Sequence, residues 1–316
     1  MIRFVLKRLG ISVLVVFLIS TITFSLVRFL PGDPAVLAVG TEASVEDIER
    51  VRAEYNLDKP YIEQYRLWIT GVLQGDLGES ITFHRGVDTI LQERLPVTVS
   101  IGVPALLLSA ILGILLGIVS ATHRGRTADK VVTLVSTIGV GTPVFWIGIL
   151  CIYLFAMTLH LLPIQGYTAP TEDFGQYIYR AILPVFCLSL SMTASVARQT
   201  RSNMLEVINQ DYIRTSRANG LGERRVIFLY ALKNTLIPVL TIIAMQIRTV
   251  VGGSVLVEQL FNIPGIGTLL ITAINGRDYA VIQACVFMIS MVTVSFNLIV
   301  DLLYGVVDPK IRKSRG

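Results

Sequence analysis

Uncharged runs long enough to cross a lipid bilayer alternate with polar segments along most of this chain. Leu95–Thr122 and Val131–Leu159 contain no Lys, Arg, Asp or Glu. A hydrocarbon core about 30 Å thick needs about 20 apolar helical residues to cross it, so both runs qualify with room for tilt. The same pattern gives six spans, near 9–28, 97–121, 131–156, 181–197, 235–257 and 281–303. The fourth is the weakest: Arg180 and Arg198 leave 17 uncharged residues between them, and Pro184 lies inside. So many such runs in one chain predict an all-α polytopic membrane protein and argue against buried helices of a soluble core. At the start, Arg3, Lys7 and Arg8 precede the apolar run Leu9–Val27. That run exceeds the usual signal-peptide core of about 7–15 residues and no A-x-A site follows it. It reads as a retained signal anchor.

The segment 29–95, between the first and second spans, carries helical patterning of its own and is read as a small helical extracytoplasmic loop domain. Ser44-Val45-Glu46-Asp47 has the shape of a capping box, with an acid where Glu or Gln is commoner, and predicts a helix to about Tyr55. Pro60 suits the first turn of a second helix reaching about Leu73. Ile62, Tyr65, Ile69, Val72 and Leu73 recur at helical spacing, so one face of that helix is expected to pack on something.

Charge placement adds orientation. Only 16% of residues are charged, below the roughly 25% of soluble domains, and the net charge of +5 comes from basic residues lying between the apolar runs. Nucleic-acid binding is therefore not implied. Arg3, Lys7 and Arg8, then Arg124, Arg126 and Lys130, then Arg198 through Lys233, then Lys310, Arg312, Lys313 and Arg315 fall on one side of a six-span topology. The two short loops opposite carry only Arg180 and Arg277. The positive-inside rule places both termini in the cytoplasm. The resulting organisation is an anchor plus extracytoplasmic loop over 1–95, a five-helix core over 96–304 with a cytoplasmic loop at about 198–234, and a tail at 305–316.

Candidate chemistry is sparse. Cys151, Cys187 and Cys285 sit singly in separate spans, and His84, His123 and His160 show no metal-ligand spacing, so no metal site is expected. No G-x-x-x-x-G-K-[ST] phosphate loop occurs, and no nucleophile has a base at recognisable spacing. The chain is read as a non-enzyme that binds no cofactor of its own. Ion-coupled carriers usually keep Asp, Glu or His within their helices, whereas these spans are nearly empty of them. The one deep charge is Arg248, and Asp301 is too shallow to pair with it. Arg248 either faces a water-filled path or partner subunit, or hydrogen-bonds backbone carbonyls inside the bundle. With Gln246, Gly252 and Gly253 it makes the candidate translocation path, although two adjacent glycines also suit close helix packing.

The segment from Asp211 to Pro238 is the most informative. Tyr212, Ala218 and Leu221 recur among Arg214, Arg217, Arg224 and Arg225, giving an apolar seam edged with positive charge, and Gly220 ends the helix. Such a helix–Gly–helix suits docking into a cleft of another protein, or lying on anionic lipid.

Asp211-Tyr212-Ile213-Arg214-Thr215-Ser216-Arg217-Ala218-Asn219-Gly220 resembles the coupling loop of ABC importer permeases, and most closely that of the peptide/nickel group. Four further matches lie in loops: Leu30-Pro31-Gly32-Asp33-Pro34, Gly75-Asp76-Leu77-Gly78, Phe261-Asn262-Ile263-Pro264-Gly265-Ile266-Gly267 and Arg277-Asp278-Tyr279, with Asp308-Pro309 near the end. Arg214 stands where the general motif has glutamate, Pro238 lies further past Gly220 than in sugar importers, and Ala280 replaces a common proline. The resemblance implies a type I ABC importer fold in a prokaryotic inner membrane. It also implies a second homologous permease, two cytoplasmic ATPase subunits holding ATP and Mg, and an extracytoplasmic solute-binding protein. Asp211, Tyr212, Arg214, Arg217, Ala218, Gly220, Leu221 and Arg224 are then the residues expected to engage the ATPases. Di- or oligopeptides are the expected cargo, with nickel or a metal chelate the alternative within the same machinery and ion-coupled transport a different class.

Overall fold

Among the residues described by the computed structural model, 2–28, 33–39 and 43–307, every regular element is helical. The chain runs through α1 (Ile2–Arg28), α2 (Pro34–Val39), α3 (Val45–Glu54), α4 (Tyr61–Gln74), α5 (Val87–Thr122) and α6 (Thr127–Gly141). It continues through α7 (Val144–Cys151, extended by π-helix to Thr158), α8 (Phe174–Ile208), α9 (Asp211–Ala218) and α10 (Glu223–Arg225). A π-helical turn, Val226–Ala231, leads to α11 (Leu232–Met245), then α12 (Ile247–Phe261), α13 (Ile266–Asn275) and α14 (Tyr279–Val307). Among the described residues, five segments are long and apolar enough to cross a membrane, and six if one bent pair is counted as a single span. Leu30-Pro31-Gly32, Asp308-Pro309 and the basic residues from Lys310 onward lie outside the described residues.

The chain forms two compact units. The first comprises residues 1–98 and 264–316. Its interior gathers Val27 from α1, Val87, Ile90 and Leu91 from the start of α5, Ile266, Leu269 and Ala273 from α13, and Val281, Ile282 and Cys285 from α14. The loop helices form for local reasons. Ser44 caps α3 by accepting from the Asp47 amide at 3.1 Å. Gly75, in the left-handed conformation, closes α4, and Asp76 Oδ1 accepts from the Gly78 amide at 2.8 Å, so Gly75-Asp76-Leu77-Gly78 is a capped turn.

Helix α4 lies on α1 through an aromatic group. Phe24 is fully buried with ring centroids 5.1 Å from Tyr65, 5.4 Å from Tyr61 and 5.7 Å from Trp68, within the range of favourable aromatic pairs. The packed face is therefore set by Tyr65, Trp68, Ile69 and Val72. Ile62 and Leu73, expected on it, are 79% and 81% exposed. The aromatic anchor rotates the helix so that these two flank the contact instead of entering it.

Asp278 explains the Arg277-Asp278-Tyr279 motif. Its buried carboxylate accepts from Ser80 Oγ at 2.5 Å, the Thr82 amide at 3.0 Å and the Val281 amide at 3.2 Å. It thus caps α14 and clasps residues 80–82. Losing it strands buried donors at about 1–3 kcal/mol in total loss for such a group. Asp278→Ala is expected to destabilise this unit on that scale and to expose residues 76–86 to limited proteolysis; wild-type cleavage rates would contradict the clasp.

The second unit comprises residues 99–263, with α8 at its centre. The expected fourth span is here a 35-residue helix, and 61% of its most apolar window is buried, against 17% for α1. Burial within protein explains why it is less apolar than a lipid-facing helix. The expected third span is not straight: α6 and α7 meet at 109°. Pro143 cannot donate to the helix ladder and drives the preceding residue out of the helical region, and Thr142 is extended at φ −95°, ψ 130°. Cys151 on α7 and Cys187 on α8, solitary in sequence, are both free and buried. Helix α8 also meets α5 at Gly113 and Gly117, where an added Cβ would lie 2.6 Å from Val196 Cβ and 2.4 Å from Thr200 Cβ. This G-x-x-x-G spacing is the small-residue arrangement that lets membrane helices approach closely.

Candidate functional site

Residues 208–231 close the turn between α8 and α11 as a short helical projection. Gln210 precedes α9, and Asp211 stands in its first turn, where a negative charge suits the helix N-terminus. Helix α9 buries Ile213 and Ser216. Ile213 packs with Ile118 and Ala121 of α5, Met204 of α8, and Val226 and Ala231 of the π-helical turn. Thr235 Oγ1 donates to Met204 Sδ at 3.2 Å just behind this group. The projection is thus seated on the ends of three helices and not tethered as a loose loop.

Gly220, at φ +78°, turns the chain back after Asn219 caps α9, a conformation glycine adopts without the steric penalty of a side chain. The turn is clasped by Arg217, whose Nε and Nη2 donate to the two oxygens of Glu223 at 3.0 and 2.7 Å. The hydrogen bonds and charge of Arg217 hold the Glu223 carboxyl below the usual glutamate range. Asn234 Nδ2 donates to the Tyr212 hydroxyl at 2.8 Å, fixing α9 to α11.

The expected docking residues therefore divide. Asp211, Tyr212, Arg214, Ala218, Gly220 and Arg224 are exposed on the projection. Arg217 is committed to Glu223, and Leu221 turns inward against the Ile213 group. The seam expected through Tyr212, Ala218 and Leu221 is accordingly not one continuous stripe. The buried side is held by Ile213, which was not singled out from sequence, because an eight-residue helix with one strongly apolar inward position gives too little periodicity to set its phase.

The second site is a cavity of about 480 Å³ lined by Ser195, Ile242, Met245, Gln246, Arg248 and Thr249. The apolar stretch expected as one span is interrupted at Gln246, which ends α11 and begins α12. Gln246 and Arg248 thus come together on one wall. Arg248 is exposed, and it makes no hydrogen bond or ion pair among the described residues. Gly252 and Gly253 are off this wall. Gly253 approaches Leu188, where an added Cβ would lie 3.1 Å from Cδ1, while Gly252 faces open space.

Arg248 was expected to be the one deep charge, in a span ending near residue 257. Helix α12 continues to Phe261 and carries Glu258, fully buried, inside it. Elsewhere in the 99–263 unit, buried Asp129 and half-buried Arg201 form another polar centre: Arg201 Nε and Nη2 donate to the Asp129 oxygens at 2.6 and 3.0 Å. Among the described residues no group of three or more His, Cys, Asp or Glu side chains is placed to hold a metal ion.

Residues 113–313 match the family described as binding-protein-dependent transport system inner membrane component, and residues 1–102 match its N-terminal companion family. The chain is similar to the di/tripeptide transport system permease protein DppB of Pseudomonas aeruginosa, 37% identical over 337 aligned residues covering all of both chains. It is likewise similar to the dipeptide transport system permease protein DppB of Escherichia coli, 36% identical over 339 aligned residues, again covering both in full.

Proposed function

Because the chain belongs to the family of binding-protein-dependent transport system inner membrane components, we propose that it is the permease subunit through which an ATP-driven importer passes di- and oligopeptides across the membrane. The observation that carries this reading is the seated projection of α9 and α10, which presents Tyr212, Arg214, Ala218 and Arg224 outward from a rigid base. A projection packed onto α5, α8 and α11 transmits force to those helices; a loose loop does not.

In this reading the projection enters a groove on a cytoplasmic ATPase subunit. ATP binding biases the assembly toward its outward-facing arrangement and hydrolysis releases it. Two ATPase subunits hold ATP and Mg, a second homologous permease completes the path, and a solute-binding protein delivers cargo to the opposite face. Both chain termini lie on the ATPase side, and membrane lipid surrounds the apolar helices. The Arg248 cavity supplies a positive group suited to the carboxylate of a passing peptide. The chain is a transport subunit, with hydrolysis carried by its partners.

Gly220→Pro tests the coupling. Proline fixes φ near −65°, incompatible with the +78° at this position, and Ala218→Glu places an acid on the exposed face without altering the turn. Both variants are expected to insert normally, yet to lower peptide uptake per ATP hydrolysed by at least roughly tenfold, the scale of an ordinary coupling free energy. Reconstituted complexes with binding protein and radiolabelled dipeptide give the readout. Unchanged uptake in both variants would remove the docking role, and uptake of a nickel chelate without peptide uptake would replace the cargo.

A further inference from the structure

The cavity at the break between α11 and α12 is lined by Ser195 of α8 as well as by Gln246, Arg248 and Thr249. Among the described residues, no acidic side chain lines it. Arg248 falls within Pro238–Phe261, a segment apolar and long enough to cross a membrane. It is nevertheless exposed and makes no hydrogen bond or ion pair among the described residues. A guanidinium at such a position is costly unless it meets water or an anion, and its planar fork of donors matches a carboxylate. The remaining lining, Ile242 and Met245, is apolar and discriminates no side-chain charge.

A second arginine continues this surface along α8. Arg198 follows Ser195 by nearly one helical turn, so the two share a face, with Arg198 about 4.5 Å further along the axis. It too is exposed and makes no hydrogen bond or ion pair among the described residues. Gln199 and exposed Ser202 lie on the same face, and Gln199 Nε2 donates to Asn203 Oδ1 at 3.0 Å. Arg198 closes the uncharged run expected as the fourth span, yet α8 continues to Ile208, about 15 Å beyond it. A charge that only marked the end of a span would stand at the end of the helix. Arg201, by contrast, is committed to Asp129.

We infer that Arg248 and Arg198 are successive stations for the free carboxylate of the cargo. Arg248 receives it in the cavity, and Arg198 takes it over toward the projection end of α8. This rests on the peptide-import reading above and adds a requirement to it: the permease itself selects for a free C-terminal carboxylate, whatever selection the binding protein makes.

The complete assembly, with both permeases, the ATPases and the binding protein, is reconstituted in liposomes, and ATP-driven uptake of radiolabelled dialanine is followed. Arg198→Gln and Arg248→Gln are each expected to lower the maximal uptake rate roughly tenfold, the loss of one charge-assisted hydrogen bond. The dialanine concentration at half-maximal rate, set by the binding protein, is expected to stay unchanged. Arg198→Lys and Arg248→Lys keep the charge and are expected to recover most of the rate. Arg124→Gln, exposed in the turn between α5 and α6, is expected to leave it unchanged. The wild-type rate in either glutamine variant, or equal losses in the glutamine and lysine variants, overturns the two-station track. Loss of the second permease from the purified variant assemblies also overturns it, by showing that the arginines pair across the permease interface. No dialanine uptake by the wild-type assembly removes the import reading itself, and the track with it.

Discussion

Gly117→Ala is expected to destabilise the 99–263 unit by about 1–3 kcal/mol, the usual range for forcing a carbon into a filled space, and Gly117→Leu to prevent that unit from folding. A Cβ at position 117 would stand 2.4 Å from Thr200 Cβ and 2.8 Å from the Ala197 carbonyl oxygen, where carbon atoms normally rest at about 3.5–4.0 Å. Neither neighbour can rotate away. Thr200 Cβ is bonded directly to the backbone, and the Ala197 oxygen belongs to it. Relief therefore requires α5 and α8 to separate along their contact, and α8 is the most buried helix of the unit. Gly10→Ala is the control, because an added Cβ there meets nothing within 4 Å and the exchange removes only glycine's backbone freedom. Denaturant unfolding in mild detergent should give a lowered midpoint for Gly117→Ala and an unchanged or slightly raised one for Gly10→Ala. Equal midpoints would mean that the two helices are not in tight contact.

That contact was written in the sequence as Gly113-Ile114-Leu115-Leu116-Gly117, yet hydropathy treats it as one more stretch of an apolar run. The same blindness applies to the bend at Thr142. A sum over Val131–Leu159 reports only that enough apolar residues are present, while Pro143 decides that they make two helices at 109°. Span four shows the converse. Its weak signal came from Arg180 and Arg198, which leave only 17 uncharged residues between them, and from Pro184. The helix extends well past both arginines and buries polar positions such as Ser189, Thr193 and Thr200, as a helix enclosed by protein tolerates. Helix α13, ten residues between α12 and α14, is too short to register as a span and was absorbed into a loop.

The projection was the most legible feature because its information is local. Gly220, the arginines and the first-turn acid all act within a dozen residues. Arg248 and Gln246 were also found locally, since a charge in an apolar run is visible without knowing its neighbours. The polar centre of Asp129 and Arg201 was not, because its meaning arises only when separate helices bring the two charges together.

The ion pair of Asp129 and Arg201 belongs to this non-local class, and its removal should have an effect as large as that of Gly117→Leu. One carboxylate collects Arg201 Nε and Nη2 at 2.6 and 3.0 Å, Ser120 Oγ at 2.5 Å and the Gly125 amide at 2.8 Å. The Asp129 side chain is 7% exposed and that of Arg201 30%. Removing one member of a buried pair leaves the other charge uncompensated, at about 3–5 kcal/mol, with the partial exposure of Arg201 favouring the lower figure for loss of Asp129. Asp129→Ala and Arg201→Ala are each expected to fall near that range, whereas Asp129→Leu combined with Arg201→Met should cost much less than the two single changes summed, since neither charge is then stranded. The pair lies at the base of the projection: Ser120 stands between Ile118 and Ala121, and Arg201 precedes Met204 by one turn, and these three apolar residues seat Ile213. Hydrogen exchange in residues 211–225 should therefore quicken in the single variants and recover in the double. Additive losses, or exchange unaffected by either single change, would show that the pair neither depends on mutual neutralisation nor supports the projection.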